Sequence, residues 1–293
     1  DRLSPLMAVA LYDEFRELTP SGADGDRMIT ALADRLVKVD LLDSAGQLLE
    51  NQVTKRLSGI DKAKAGTRWA AVALLDGKPD LALTAIKESE LPEMPPELAA
   101  QRRRLQGRAL FEVGDTLQGL ALIRDDNSLD GLWLKADLQW RLREWPAAAA
   151  ALDRLIAAEA ARLQLDFPAP LSSEDVAEDP ALALTIDVDQ GAQAAERDRK
   201  FTESLAPLIL NQATALSLAN DRAGLRRLGR AHGAQMAKGP YATAFATLTA
   251  PSSSLADSIS AAMDSVDQLG AFVEDYRTRL RAASLSSPAE PSL

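Results

Sequence analysis

His232 is the one histidine in a chain that has no cysteine, so it is the natural candidate for proton transfer near neutral pH. It sits in Arg226-Arg227-Leu228-Gly229-Arg230-Ala231-His232, with Lys238 following. A histidine base is normally oriented by a carboxylate. None is close to it in sequence, so any such partner must come from elsewhere in the fold. Without one, His232 reads as a surface or groove histidine. The lack of cysteine excludes disulfides, thiolate metal sites and a cysteine nucleophile, and a single histidine excludes a His-ligand cluster. The densest basic run is Arg102-Arg103-Arg104 with Arg108. Its forked donors could recognise carboxylates, although such a run is often only a solvated helix face.

Two acidic motifs could hold cations. Asp125-Asp126-Asn127-Ser128-Leu129-Asp130 resembles the paired acidic motifs that hold Mg²⁺ in all-helical prenyl-transferring enzymes, where carboxylates suit a hard cation. Such chemistry needs an aromatic-rich cavity, and aromatic residues make up only 4% of the chain. Loop acids capping a helix that starts at Leu129 are the better expectation. Asp187-Val188-Asp189-Gln190-Gly191 begins like a calcium loop, but its glycine falls one position early and no glutamate closes the loop in register. Neither a metal nor a cofactor is expected.

The elements that position these residues are helical. The chain has 293 residues, 46% of them hydrophobic and 26% charged, enough for a buried core of one or two domains. Aromatic and β-branched residues are scarce, which disfavours an all-β fold. The formal net charge is -10, which disfavours nucleic-acid and anionic-membrane binding. No apolar run reaches the ~18–20 residues of a spanning helix. The first residue is Asp1, so this sequence is expected to be a fragment or a processed form. The absence of cysteine suits the periplasm, with anchoring through upstream sequence, as well as the cytoplasm. The Ala, Leu and Arg usage is that of a high-GC bacterium.

Four segments align on one template: residues 31–49, 68–86, 105–123 and 134–152. Each carries a small residue in a first helix (Ala33, Ala70, Gly107, Ala136) and another twelve positions later (Ala45, Ala82, Gly119, Ala148). A bulky residue follows four positions on (Leu49, Ile86, Ile123, Leu152). Two antiparallel helices approach closely only where both are small at the crossing, and the bulky residue then plugs the next interface. Gly77 and Gly114 fall where a left-handed residue ends the first helix. The intervals between successive second small residues are 37, 37 and 29. On these positions the chain resembles the tetratricopeptide-repeat (TPR) family over about half its length, in degenerate form, because the family's customary first-helix Trp is displaced. It is also similar to the C-terminal part of long bacterial TPR proteins.

The expected fold is all-α: an α-solenoid of degenerate TPR-like hairpins followed by a C-terminal helical region. The expected divisions are an N-terminal helix and turn (1–25), four helix pairs (26–158), an acidic insert (159–198), a degenerate pair plus two or three helices (199–283) and a disordered tail (284–293). Between Arg162 and Arg197 there are eight acids and no base.

The resemblance implies that first helices line a concave groove. Carried over position by position, the groove holds Lys38, Lys64, Arg68, Arg104, Arg108, Phe111, Trp133, Asp137, Trp140 and Arg141, with Arg27, Asp34, Glu112 and Asp130 beside them. Seven are basic and four acidic, a net of +3 within an acidic chain. The implied function is a non-enzymatic protein-interaction module, a scaffold or adaptor that takes a peptide or protein, and a basic groove suits an acidic segment. The acidic insert 163–196 could contact the same groove intramolecularly. The alternatives are a structural or regulatory part of a larger chain, packed on its own N-terminal region, or an all-helical enzyme.

Overall fold

The computed structural model describes residues 22–165 and 195–250, together with Met7. The N-terminal helix, the body of the acidic insert with its Asp187 motif, the final helices and the tail lie outside these residues. The described chain is all-α and has eleven α-helices. It forms two compact units that divide between Asp126 and Asn127, within the run of four predicted pairs.

The first unit holds α1 (Ala23–Lys38), α2 (Leu42–Asn51), α3 (Gly59–Leu75), α4 (Pro79–Glu88), α5 (Pro96–Glu112) and α6 (Thr116–Ile123). A π-helical turn, Gln52–Arg56, leads out of α2. Successive helices pack on one another, and α3 also meets α5. The second unit holds α7 (Leu129–Arg141), α8 (Trp145–Leu163), α9 (Ala206–Leu218), α10 (Arg222–Met236) and α11 (Ala242–Thr249). Residues 195–200 are helical and run through a π-helical turn, Phe201–Leu205, into α9. Here α8 packs on both α7 and α9, and α10 and α11 close over α9.

The small-residue template sets the crossings. Ala33, Ala45, Ala70, Ala82, Ala136 and Ala148 are all buried. In the α5–α6 hairpin a Cβ on Gly119 would stand 2.6 Å from the Gly107 carbonyl oxygen, and a Cβ on Gly107 would stand 2.9 Å from that of Gly119. Backbone therefore lies on backbone at this crossing. Of the bulky positions, Leu49, Ile123 and Leu152 are fully buried, and Ile86 is partly buried against the first unit's core.

The turns repeat more faithfully than the sequence suggests. Gly77 and Gly114 take positive φ, as expected, and so do Asp40, Arg143 and Asn220 at the corresponding place. At each turn the next amide donates back five residues. Leu41 bonds to Leu36, Lys78 to Ala73, Asp115 to Leu110, Glu144 to Gln139 and Asp221 to Leu216, with N···O between 2.8 and 3.0 Å. This is the Schellman closure, which satisfies carbonyls that a helix end leaves open. The α9–α10 hairpin, closed by Asn220, is a fifth pair built on the same turn.

Candidate functional site

The predicted groove residues fall on both units. In the first unit Lys38 and Lys64 are exposed and Phe111 is half-buried. Arg68 is half-buried, with Nη2 3.7 Å from Asp34 Oδ2. Burial pushes the Asp34 carboxyl up, and Arg68 and then Lys38 pull it down. Arg104 and Arg108 do not present open guanidinium groups. Arg104 Nη1 donates to Asp126 Oδ2 at 2.9 Å, and Arg108, itself buried, donates from Nε to Glu112 Oε1 at 2.6 Å.

In the second unit Trp133 and Asp137 are buried on α7, in the core rather than on an open face. Asp137 pairs with Arg141 across one helical turn, Nε to Oδ1 at 3.4 Å. Trp140 meets Trp145 edge-on, with centroids 5.3 Å apart, so it packs the α7–α8 hairpin. The sequence reading of three of these, Arg108, Trp133 and Asp137, as groove-lining is therefore corrected, while Arg104 stays half-buried like Arg68. Desolvation makes internal pairing and core packing more favourable for them than an open face. Two of the partners, Glu112 for Arg108 and Arg141 for Asp137, lie at i+4 and were readable from spacing.

Arg102 separates completely from the basic run. It is buried, and its guanidinium is shared among backbone and hydroxyl acceptors. Nη1 donates to the Ala63 carbonyl at 3.0 Å, Thr67 Oγ1 at 3.1 Å and Ser89 Oγ at 3.0 Å. Nη2 donates to the Ile86 carbonyl at 2.6 Å and the Ser89 carbonyl at 3.3 Å. The group thus ties α5 to α3 and to the C-terminal end of α4, where the helix dipole favours a cation. Burial lowers its pKa, and Glu90 opposes that. Gly66 makes room for the arrangement, because a Cβ there would lie 1.8 Å from Ser89 Oγ. Arg102 is a structural staple, and only Arg103 of the triplet is exposed.

In the Asp125–Asp130 segment the acids neither gather nor cap α7. Ser128 caps α7, its Oγ accepting from the Gly131 amide at 3.1 Å, and Asp126 is taken by Arg104. Among the described residues no group of three acids or histidines could hold a metal ion. No helix among them is long and apolar enough to cross a membrane.

A concave feature among the described residues of the second unit is a cleft of about 530 Å³ formed by α8, α9 and α10. Pro146, Ala149, Ala150, Leu216 and Leu228 give it apolar walls, and Asp153, Gln212, Arg227 and His232 give it polar ones. Gln212 is buried and fixed, with Nε2 donating to Asp153 Oδ1 at 3.0 Å. Asp221 caps α10, its Oδ1 accepting from the Gly224 amide at 2.8 Å, and stands 3.9 Å from Arg227 at the rim. Burial lowers the His232 pKa, and the Asp153 carboxylate opposes the shift. Asp153 is the carboxylate that the sequence around His232 lacked, supplied from 79 positions away by the α8–α10 approach. The titratable side chains of the lining are Asp153, Asp221, Arg227 and His232, and it contains no Ser, Thr, Cys or Lys.

No family model, curated protein or solved structure matches this chain.

Proposed function

We propose that the chain is a protein-interaction module of TPR-like helical hairpins, a scaffold or adaptor rather than an enzyme, and that it takes a peptide segment in the α8–α9–α10 cleft. The observation that carries this reading is the cleft's composition. Its size lies within the ordinary range for ligand sites, and its apolar walls surround a few fixed polar groups. A peptide side chain resting on Ala149, Ala150 and Leu228 would gain burial, while Asp153 accepts from a backbone or side-chain donor and Arg227 donates to a carbonyl or carboxylate. The recurrent hairpin turns support the same reading, since stacked helical pairs hold such a surface on rigid elements. The exposed Lys38 and Lys64 and the half-buried Arg68 and Arg104 are what the first unit keeps of the basic face that the sequence suggested.

The test fills the cleft. Ala150 and Ala231 are exposed residues of its lining, so Ala150→Trp and Ala231→Trp occupy the space without disturbing the core. A partner recovered with the wild-type chain from its native cells should drop at least tenfold with either variant. Ala121→Trp, on the exposed face of α6, should leave recovery unchanged. Equal recovery with all three variants would remove the cleft from the account.

A further inference from the structure

Arg102 and Arg108 are buried in the first unit and Arg104 is ion-paired with Asp126, so the dense exposed basic surface of the described residues lies elsewhere. It is α10. This helix carries Arg222, Arg226, Arg227 and Arg230 and no acid. All four arginines are exposed. Arg222, Arg226 and Arg230 follow one another at one-turn intervals, so they stand on one face, about 6 Å apart along the axis. Among the described residues none of these three makes an ion pair; Arg227 alone has Asp221 at 3.9 Å. The opposite face of α10 holds the buried Gly224 and Leu228. Four like charges within nine residues repel one another, and an acidic chain would shed that cost by giving them an anionic partner.

We infer that the arginine face of α10 is a docking surface and that its occupant is the acidic tract of the same chain, residues 166–194. The tract holds Asp166, Glu174, Asp175, Glu178, Asp179, Asp187 and Asp189 and has no Lys or Arg. It joins the end of α8 to the helical residues before α9, both in the unit that contains α10. Twenty-nine residues reach up to ~95 Å when extended, far more than a small unit requires. A short tether of this kind sets a local concentration on the order of millimolar, so weak individual pairs suffice. Arginine forks match carboxylates two at a time. The contact is electrostatic and weakens as salt rises. This inference is independent of the cleft, because Arg222, Arg226 and Arg230 are not among the residues that line it, whereas Arg227 is.

The test uses the whole chain with residues 166–194 replaced by a neutral Gly/Ser linker of equal length, and a synthetic 166–194 peptide as the probe. The peptide should bind the replaced chain, lose at least tenfold in affinity between 50 and 300 mM salt, and bind the intact chain at least tenfold more weakly. Arg222→Gln, Arg226→Gln and Arg230→Gln together should abolish binding to the replaced chain. If linker replacement prevents folding, the full-length chain with the seven acids changed to Asn or Gln serves in its place. Equal binding to intact and replaced chains would show the face vacant in cis and overturn the inference. Binding that survives the three Arg→Gln changes, or no binding at all, would overturn it as well. Salt-sensitive dimerisation of the intact chain, lost with the same changes, would assign the tract to a second copy and also refute the contact in cis.

Discussion

Replacing Gly119 by Ala tests the hairpin geometry with one added methyl group. Its Cβ would stand 2.6 Å from the Gly107 carbonyl oxygen and 3.1 Å from the Phe111 amide nitrogen. Both neighbours are backbone, so neither can rotate away, and α5 and α6 must separate. Overpacking of this kind costs about 1–3 kcal/mol. Alanine recovers about 1 kcal/mol of helix propensity, which leaves a net loss of up to about 2 kcal/mol. Gly46, in the middle of α2, is the control. Nothing lies within 4 Å of a Cβ there and its φ is not positive, so Gly46→Ala should stabilise by about 0.5–1 kcal/mol. The same substitution then has opposite signs at two positions of one unit. Since about 1 kcal/mol moves the midpoint of a unit near this size by ~4 °C or more, thermal melts followed at 222 nm should separate the two variants by up to about 10 °C. A Gly119→Ala chain as stable as Gly46→Ala would show that the crossing has spare room, and the argument from paired small residues would fail.

Other perturbations follow from the same contacts. Arg102→Met should cost about 3 kcal/mol in urea unfolding, because it takes the shared donor from buried acceptors on α3 and at the end of α4. Arg102→Lys should recover less than half of that, since one ammonium cannot bridge the Ala63 and Ile86 carbonyls as the fork does. Arg104→Glu should destabilise the first unit by placing a carboxylate against Asp126, where a solvated groove arginine would tolerate the change with almost no effect on the melt. His232 gives a pH dependence. Its folded pKa lies below the unfolded value near 6.5, so its neutral form is the one the fold accepts. Stability from this group is fully present above about pH 6.5 and is lost as pH falls toward the folded pKa, with a slope of at most one proton. His232→Gln should remove that slope, and an unchanged pH profile in urea melts would contradict the burial assigned to it.

The architecture was legible in the sequence because it rests on local rules. Small residues twelve apart marked the crossings, and Gly77 and Gly114 marked two turns. The turns at Asp40 and Arg143 were hidden, because a left-handed residue without glycine leaves no compositional sign. The site was less legible, and for a definite reason. Charge on a helix can be read along the chain, but whether that charge is spent is decided by partners. Arg102 meets Ser89 and Ile86 only once α4 and α5 pack, and Arg104 meets Asp126 only across the α5–α6 hairpin. His232 and Asp153 likewise belong to different helices of the second unit. The arginines of α10 were visible as residues, but their prominence appeared only after pairing had withdrawn the run around Arg102.

The most direct measurement is site-specific photo-crosslinking from the cleft in the native cell. A photoreactive residue placed at Ala231, on the cleft wall, should join the chain to one partner protein through one defined peptide segment, and Ala150→Trp in the same chain should suppress the product. The same probe at Ala121 should give none of it. A partner crosslinked equally from Ala121 and Ala231, or a product indifferent to Ala150→Trp, would contradict the assignment of the α8–α9–α10 cleft as the binding site.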